Sequence, residues 1–360
     1  MIESVVALPT MSFHETAVST FIKWYAASVG LSFKEDRAGN ILVTYRGGGC
    51  GGMTLAAHMD HPGFEVITAA GKTATVALWG KVKPKLFAGS KVRVNTAEGA
   101  VKGRIAKTIP KKKHLGRQTF MLSAKGGVKK GDFGAFDLPA LRIAGNTIRA
   151  IACDNLISVA AILDLLTRFV KGKARVNVAG LFTRGEEAGF LGAFAAMESG
   201  LIPKRDPLIV LECSSALGGG VDIGEGPVVR VGDLAATYDP EVEIWLSDVA
   251  ASLVSDHGSR VTDHGFKYQR ALLQGGRCEA CVYVAAGYRV GALAMPLGNY
   301  HNHGPRGYAA EYVSVADYVG YVKLLAALAH KPIGKSRMRE RVAPIKKHYQ
   351  GLKKKLVETR

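Results

Sequence analysis

Five short stretches of this 360-residue chain carry side chains of the types that hold metal ions or move protons. Glu186 and Glu187 are adjacent, in a turn after the apolar run 176–182 and before a Gly/Ala-rich segment. Neighbouring side chains leaving a strand point in different directions, so one carboxylate can bind a cation while the other moves a proton. His58 and Asp60 lie two apart at the end of the run 53–57 and share a face of an extended segment. A carboxylate placed there can accept the second ring N–H of a metal-bound histidine and fix its tautomer. Asp154 precedes the helical pattern 156–170, Glu212 ends the run 207–211, and His301 follows the run 289–295 with His303 two residues on. Any one of these alone reads as a solvated turn or a surface pair; their recurrence at successive element ends carries the argument.

Two histidines and three carboxylates, with no cysteine among them, form a hard N/O ligand set that suits zinc, and also cobalt or manganese. A carboxylate shared between two such ions makes a hydrolytic centre that polarises a carbonyl and acidifies a water. One further carboxylate, outside the ligand set, is then free to take the water's proton and pass it to a leaving amine. The count fits: one bridge, two ligands for each of two divalent ions, and one base.

These residues need a scaffold that gathers strand ends. Residues 1–46 read as a helix over 17–29 and a strand over 40–45, and 53–57 as the next strand. From 148 to 330 apolar strands alternate with helical patterns over 156–170, 189–198 and 314–328. That alternation predicts an α/β fold, a mostly parallel mixed sheet flanked by helices on both faces, in which a site lies beyond the carboxyl ends of the strands. Between about 70 and 147 the pattern changes to short β-like runs separated by Gly, Lys and Pro, including 73–78, 91–95, 101–105, 118–122 and 140–143. This predicts a small all-β barrel domain inserted into the first, with Lys111-Lys112-Lys113 as an exposed loop. The expected organisation is a discontinuous catalytic domain, 1–69 and 148–330, an insert over 70–147, and a basic tail over 331–360.

Composition narrows the setting. No apolar run approaches the length of a membrane span, so no membrane partner is expected, and Met1-Ile2-Glu3-Ser4 lacks the basic and apolar start of a signal peptide. Five scattered cysteines argue against a disulfide framework and for a reducing cytoplasm. Cys278 and Cys281 form a lone Cys-x-x-Cys with no second pair to complete a zinc site. The glycine-rich turn 47–52 lacks the Lys-Ser/Thr ending of a phosphate-binding loop. The net charge of +18 is concentrated: 81–131 holds 15 Lys/Arg against one acid, and 331–360 holds 11 against two. Nucleic acid or an anionic surface would suit such segments, but no base-reading or stacking motif accompanies them, and the expectation is a solvated basic surface without nucleic acid.

Taken in order, the motifs resemble those of the cocatalytic dizinc aminopeptidases, and most closely the glutamyl/deblocking family that includes the tetrahedral aminopeptidases. Leu8-Pro9-Thr10 with Glu15, Asp36-Arg37-Ala38-Gly39-Asn40, Ala57-His58-Met59-Asp60 with Gly63-Phe64, Cys153-Asp154-Asn155, Thr183-Arg184-Gly185-Glu186-Glu187-Ala188-Gly189, and Gln274-Gly275-Gly276 followed by Met295-Pro296 and His301 carry the likeness over about 1–330. The resemblance implies that Asp154 bridges two metals, that His58 and Glu212 complete one ion and Glu187 and His301 the other, that Glu186 is the general base, and that Asp60 orients His58. It also implies a cis peptide between Asp154 and Asn155, short peptides as substrates, and a homo-oligomer, a dimer or larger, paired through the inserted domain. Glu212 departs from the Asp usual in the family, Arg277-Cys278-Glu279 replaces the residues that follow the two glycines, and the last motif leaves His303 as an alternative to His301. An amidohydrolase or deacylase acting on small N-acyl substrates is the second reading, separated from an aminopeptidase by whether a free amine is required. A non-catalytic protein that binds an anionic partner is the third; a carboxylate outside the ligand set argues against it.

Overall fold

The computed structural model describes residues 1–108, 112–218, 220–255, 265–273, 275–334 and 337–359. An eight-stranded sheet forms its centre, in the order Ser32–Glu35, Ile41–Arg46, Asn177–Thr183, Met53–His58, Leu208–Ser215, Val290–Leu297, Val228–Gly232, Gln269–Leu272. The four middle strands run parallel, and their residues are almost all buried, which is why they read as continuous apolar runs rather than alternating ones. Antiparallel pairs flank them on both sides. Thr183 is in register with His58, so the carboxyl ends of neighbouring strands lie level.

Helices cover both faces. Cys153–Gly172 is buried nearly all round, through Leu156, Ile157, Val159, Ala160, Ile162, Leu163, Leu165, Leu166 and Phe169. It shares one core with Thr16–Ser28, Pro240–Ser255 and Val315–His330. Leu191–Glu198 and Ala280–Ala285 pack on the opposite face. The structure thus has the mixed α/β architecture that the alternation predicts.

The second sheet is entirely antiparallel. It runs Thr73–Trp79, Gly63–Ala70, Phe133–Phe136, Lys91–Thr96, Gly99–Ile105, Arg117–Ala124, Lys113–His114, and a further pairing of Thr73–Trp79 with Arg117–Ala124 closes six of the strands into a barrel. Phe64, Phe87, Phe120 and Phe136 fill it. Its first strand, Gly63–Ala70, starts only five residues after His58, so the barrel grows directly out of a site-bearing strand. The strand expected near 140–143 forms as Leu141–Ala144, but it joins Thr147–Ala150 and Glu311–Ser314 in a separate three-stranded sheet. Of the expected lysine loop, Lys113 lies in a short strand, Lys112 is exposed, and Lys111 is outside the described residues. The tail forms a helix, Arg337–Glu358.

Candidate active site

Strand ends and one helix start bring the ligand-type residues together. His58 ends its strand, and Glu212 lies within Leu208–Ser215, level with it across the parallel pair. Asp154 sits in the first turn of Cys153–Gly172 with non-helical backbone angles, and the peptide joining it to Asn155 is cis. His301 lies in a tight turn where Asn299, His301 and Asn302 all have positive φ. Non-glycine residues adopt this region sparingly, and such backbone persists where surrounding contacts impose it. Here Asn299 and Asn302 donate side-chain N–H groups to the carbonyls of Ala310 and Ile151.

Asp154 stands between the two histidines. Its Oδ1 is 3.5 Å from His58 Nε2 and its Oδ2 is 3.8 Å from His301 Nε2. Glu212 Oε2 is 3.9 Å from His58 Nε2, and Glu187 Oε1 is 2.7 Å from His301 Nε2. Two groups, His58–Asp154–Glu212 and Asp154–Glu187–His301, each place their donor atoms within 4.8 Å of one another and share Asp154. Asp154 Oδ1 and Glu212 Oε1 are buried without a hydrogen-bond partner. Buried polar atoms are normally paired, so these orphans, both of metal-binding type, fit divalent cations. His303 stands apart: its Nε2 accepts the Lys83 N–H.

Glu186 lines the same cavity, about 280 Å³ in volume, with His58, Asp154, Glu187 and Glu212. Burial raises its carboxyl well above the usual range, and the neighbouring Glu212 and Glu187 add to this against the opposing effect of His58. Burial likewise raises Glu212 to about 7. His58 is pulled the other way: burial disfavours its charge, but Asp154 and Asp60 outweigh that and hold it well above its ordinary value. Four carboxylates packed this closely call for positive charge among them. The cavity lining also carries Arg230, Arg277 and Lys81, the last from the segment after barrel strand Thr73–Trp79.

The supporting contacts lie a layer further out. Asp60 is fully buried and takes the backbone N–H groups of Glu186 and Glu187 and the Ser12 hydroxyl. Its carbonyl oxygen is 3.0 Å from His58 Nδ1, closer than its carboxylate at 3.5 Å. Asp60 therefore ties the first histidine to the Glu186-Glu187 turn. Glu15 accepts from Gly185 N–H and from the Arg184 guanidinium, and Asn40 accepts from Arg184 N–H. Gly192 closes that turn, since a Cβ there would meet the Arg184 backbone at 2.3 Å.

Three residues beyond the expected set complete the site. Glu311, buried, accepts the N–H of Asp154 and the N–H of His301. His61, also buried, donates from Nδ1 to the Asp154 carbonyl at 2.6 Å. Arg230, 1 % exposed, donates to Ser214 Oγ and to the Cys213 carbonyl beside Glu212. Only His61 had a local signal, its place directly after Asp60 of the His-x-Asp motif. Gly275 and Gly276 line the cavity, while Gln274 is outside the described residues. Cys278 and Cys281 are free thiols and take no part in either ligand group.

Solved aminopeptidases share this fold. A TET aminopeptidase from a marine sediment archaeon of the Thaumarchaeota superposes with a TM-score of 0.75 at 20% identity, covering 91% of this chain and 95% of that one. An aminopeptidase from the archaeon Desulfurococcus kamchatkensis gives 0.75 at 21%, covering 92% and 94%. The TET1 peptidase of Pyrococcus horikoshii, described as assembling into a tetrahedron or a large octahedral shell, gives 0.72 at 21%, covering 91% and 98%. No curated protein sequence matches the chain. Residues 122–324 match the model of the M42 glutamyl aminopeptidases, and the chain belongs to that family of metal-dependent peptidases.

Proposed function

We propose that this enzyme is a dinuclear metallo-aminopeptidase that removes N-terminal residues from short peptides, with Glu186 as general base. The observation that carries this reading is the pair of His/carboxylate groups sharing Asp154, with Glu186 on the same cavity but outside both groups. His58, Asp154 and Glu212 would hold one divalent cation and Asp154, Glu187 and His301 the other. Zinc suits the set best, with cobalt or manganese as substitutes. Bound there, the cations would polarise the scissile carbonyl and acidify a water.

The chain's own residues do the rest. Glu186 takes a proton from the attacking water and delivers it to the leaving amine as the C–N bond breaks. Burial keeps that carboxyl basic enough to hold the proton between the two transfers. Asp60 fixes where Glu186 and Glu187 start, through their backbone N–H groups, and so sets the Glu186 approach to the water. The acidic side of the cavity suits the substrate's free α-ammonium.

The domain assignment belongs to the same reading. The catalytic unit comprises most of 1–69 and 148–330, and the barrel, which begins at Gly63–Ala70 and ends at Phe133–Phe136, pairs subunits or limits access in a homo-oligomer. A cytoplasmic setting accords with five free cysteines.

The test is hydrolysis of aminoacyl-p-nitroanilides beside their N-acetylated forms, after chelation and reloading with zinc, cobalt or manganese. Turnover of free-amine substrates alone, abolished by chelation and restored by metal, is expected. Turnover of acetylated substrates alone would replace the aminopeptidase reading with a deacylase.

A further inference from the structure

The last helix, Arg337–Glu358, leaves the enzyme fold: every residue from 338 onward in it is exposed. Its start is anchored on helix Pro240–Ser255, through Met338 N–H to the Glu241 carboxylate and an ion pair of Arg341 with Asp248. Its side chains are not arranged as those of a plain solvated helix. Met338, Val342, Ile345, Tyr349, Leu352 and Leu356 follow a 4-3-4-3-4 spacing, which places them in one stripe along the helix. They are 42–67% exposed. The positions flanking the stripe are all of basic type: Arg339, Lys346 and Lys353 on one side, Arg341, His348 and Lys355 on the other.

The charges decide what can cover the stripe. A second copy of the helix would set cations against cations at the flanking positions, where coiled coils place their pairing charges. Pro344 inside the helix also removes one backbone hydrogen bond and works against a long straight seam. Nucleic acid would satisfy the cations but leave the apolar stripe in water. An anionic bilayer surface satisfies both at once, with the stripe entering the headgroup–acyl boundary and the long basic side chains reaching up to the phosphates. Among the described residues, no helix is long and apolar enough to cross a membrane, so the contact lies in the surface plane.

We propose that helix Arg337–Glu358 docks on the surface of an anionic lipid bilayer and holds the peptidase there. This surface is separate from the cavity and independent of the peptidase reading. Co-sedimentation of the full-length protein with phosphatidylcholine vesicles, with and without phosphatidylserine, tests it. Binding to the anionic vesicles is expected, weakening as salt rises. Ile345→Gln with Leu352→Gln should reduce that binding by about tenfold or more, and Lys346→Gln with Lys353→Gln should do likewise, with peptidase activity and helix content unchanged in both. Unchanged vesicle binding by the Ile345/Leu352 variant would assign the lipid contact to the basic barrel and overturn the proposal. So would no binding to either vesicle. A smaller assembly for that variant in sedimentation velocity would make the stripe a contact between copies and overturn it too. Duplex DNA affinity lost in the lysine variant, in a protein that ignores vesicles, would give the helix to nucleic acid instead.

Discussion

Glu311 holds Asp154 and, through the same carboxylate, His301: Oε2 accepts the Asp154 N–H at 2.9 Å and Oε1 the His301 N–H at 2.7 Å. One buried side chain thus fixes the spacing between two donors that belong to different elements. Glu311→Gln keeps the shape but turns one acceptor into an N–H group facing another N–H. The expected result is a loss of metal affinity of about 10–100-fold, largest for the ion nearest His301. Metal content after dialysis against graded chelator measures it, and an unchanged content would show that the turn holds itself.

Glu186 and Glu187 are adjacent, and the proposed mechanism gives them different roles, so their amides should fail differently. Glu187→Gln weakens the group around His301 and should lower bound metal toward one ion per chain. Glu186→Gln should keep both ions and lower kcat by about 10²–10⁴-fold. Metal stoichiometry and single-substrate kinetics on the two variants, side by side, check this. Metal loss in Glu186→Gln would place that residue among the ligands.

The ligand-type residues were legible because a parallel sheet exposes its carboxyl ends at one edge. His58, Glu187, Glu212 and His301 each announce themselves at the end of an apolar run. The residues that hold them were not legible as such. Glu311 contacts Asp154 across 157 positions, and Arg230 lies in a short strand, Val228–Gly232, for which the sequence reading had no element. The same reading had none between 213 and 288, yet helix Pro240–Ser255 buries Val242, Trp245, Leu246, Val249 and Ala250 at helical spacing. Asp60 was expected for its link to His58, but its two backbone contacts to the Glu186-Glu187 turn depend on how distant strands align. Pairing across a sheet leaves no local trace in sequence.

Arg230 is a buried cation placed between a strand end and Glu212, a proposed ligand. Its guanidinium donates to Ser214 Oγ and the Cys213 carbonyl, and its charge lowers the Glu212 pKa against the upward effect of burial. Arg230→Met removes these charged donors, which corresponds to about 2–3 kcal/mol of stability, read as a shift of the urea midpoint. It should also move Glu212 above about 7. A proton then competes with the cation up to higher pH, so the variant should shed metal at pH values where the parent retains it. Equal metal retention across the pH range would mean that Arg230 acts only on the strand.

Glu279 offers a pH test on a carboxyl outside the two ligand groups. It is 1 % exposed and accepts the Thr183 hydroxyl at 2.7 Å. Burial, opposed by His58 and by that hydroxyl, leaves its carboxyl raised from 4.5 to about 7. Between those two values the folded chain holds a proton that the unfolded chain has released, so this group makes stability fall as pH rises. Below 4.5 both states are protonated and the group contributes nothing; above 7 the penalty is constant, about 3 kcal/mol at roughly 1.4 kcal/mol per pKa unit. Glu279→Gln keeps an acceptor for Thr183 and removes the charge. The variant should therefore match the parent near pH 4 and exceed it near pH 8, in urea melts at both values. A variant that loses the same stability at both pH values would show that Glu279 is ionised in the folded protein through a contact that outweighs its burial.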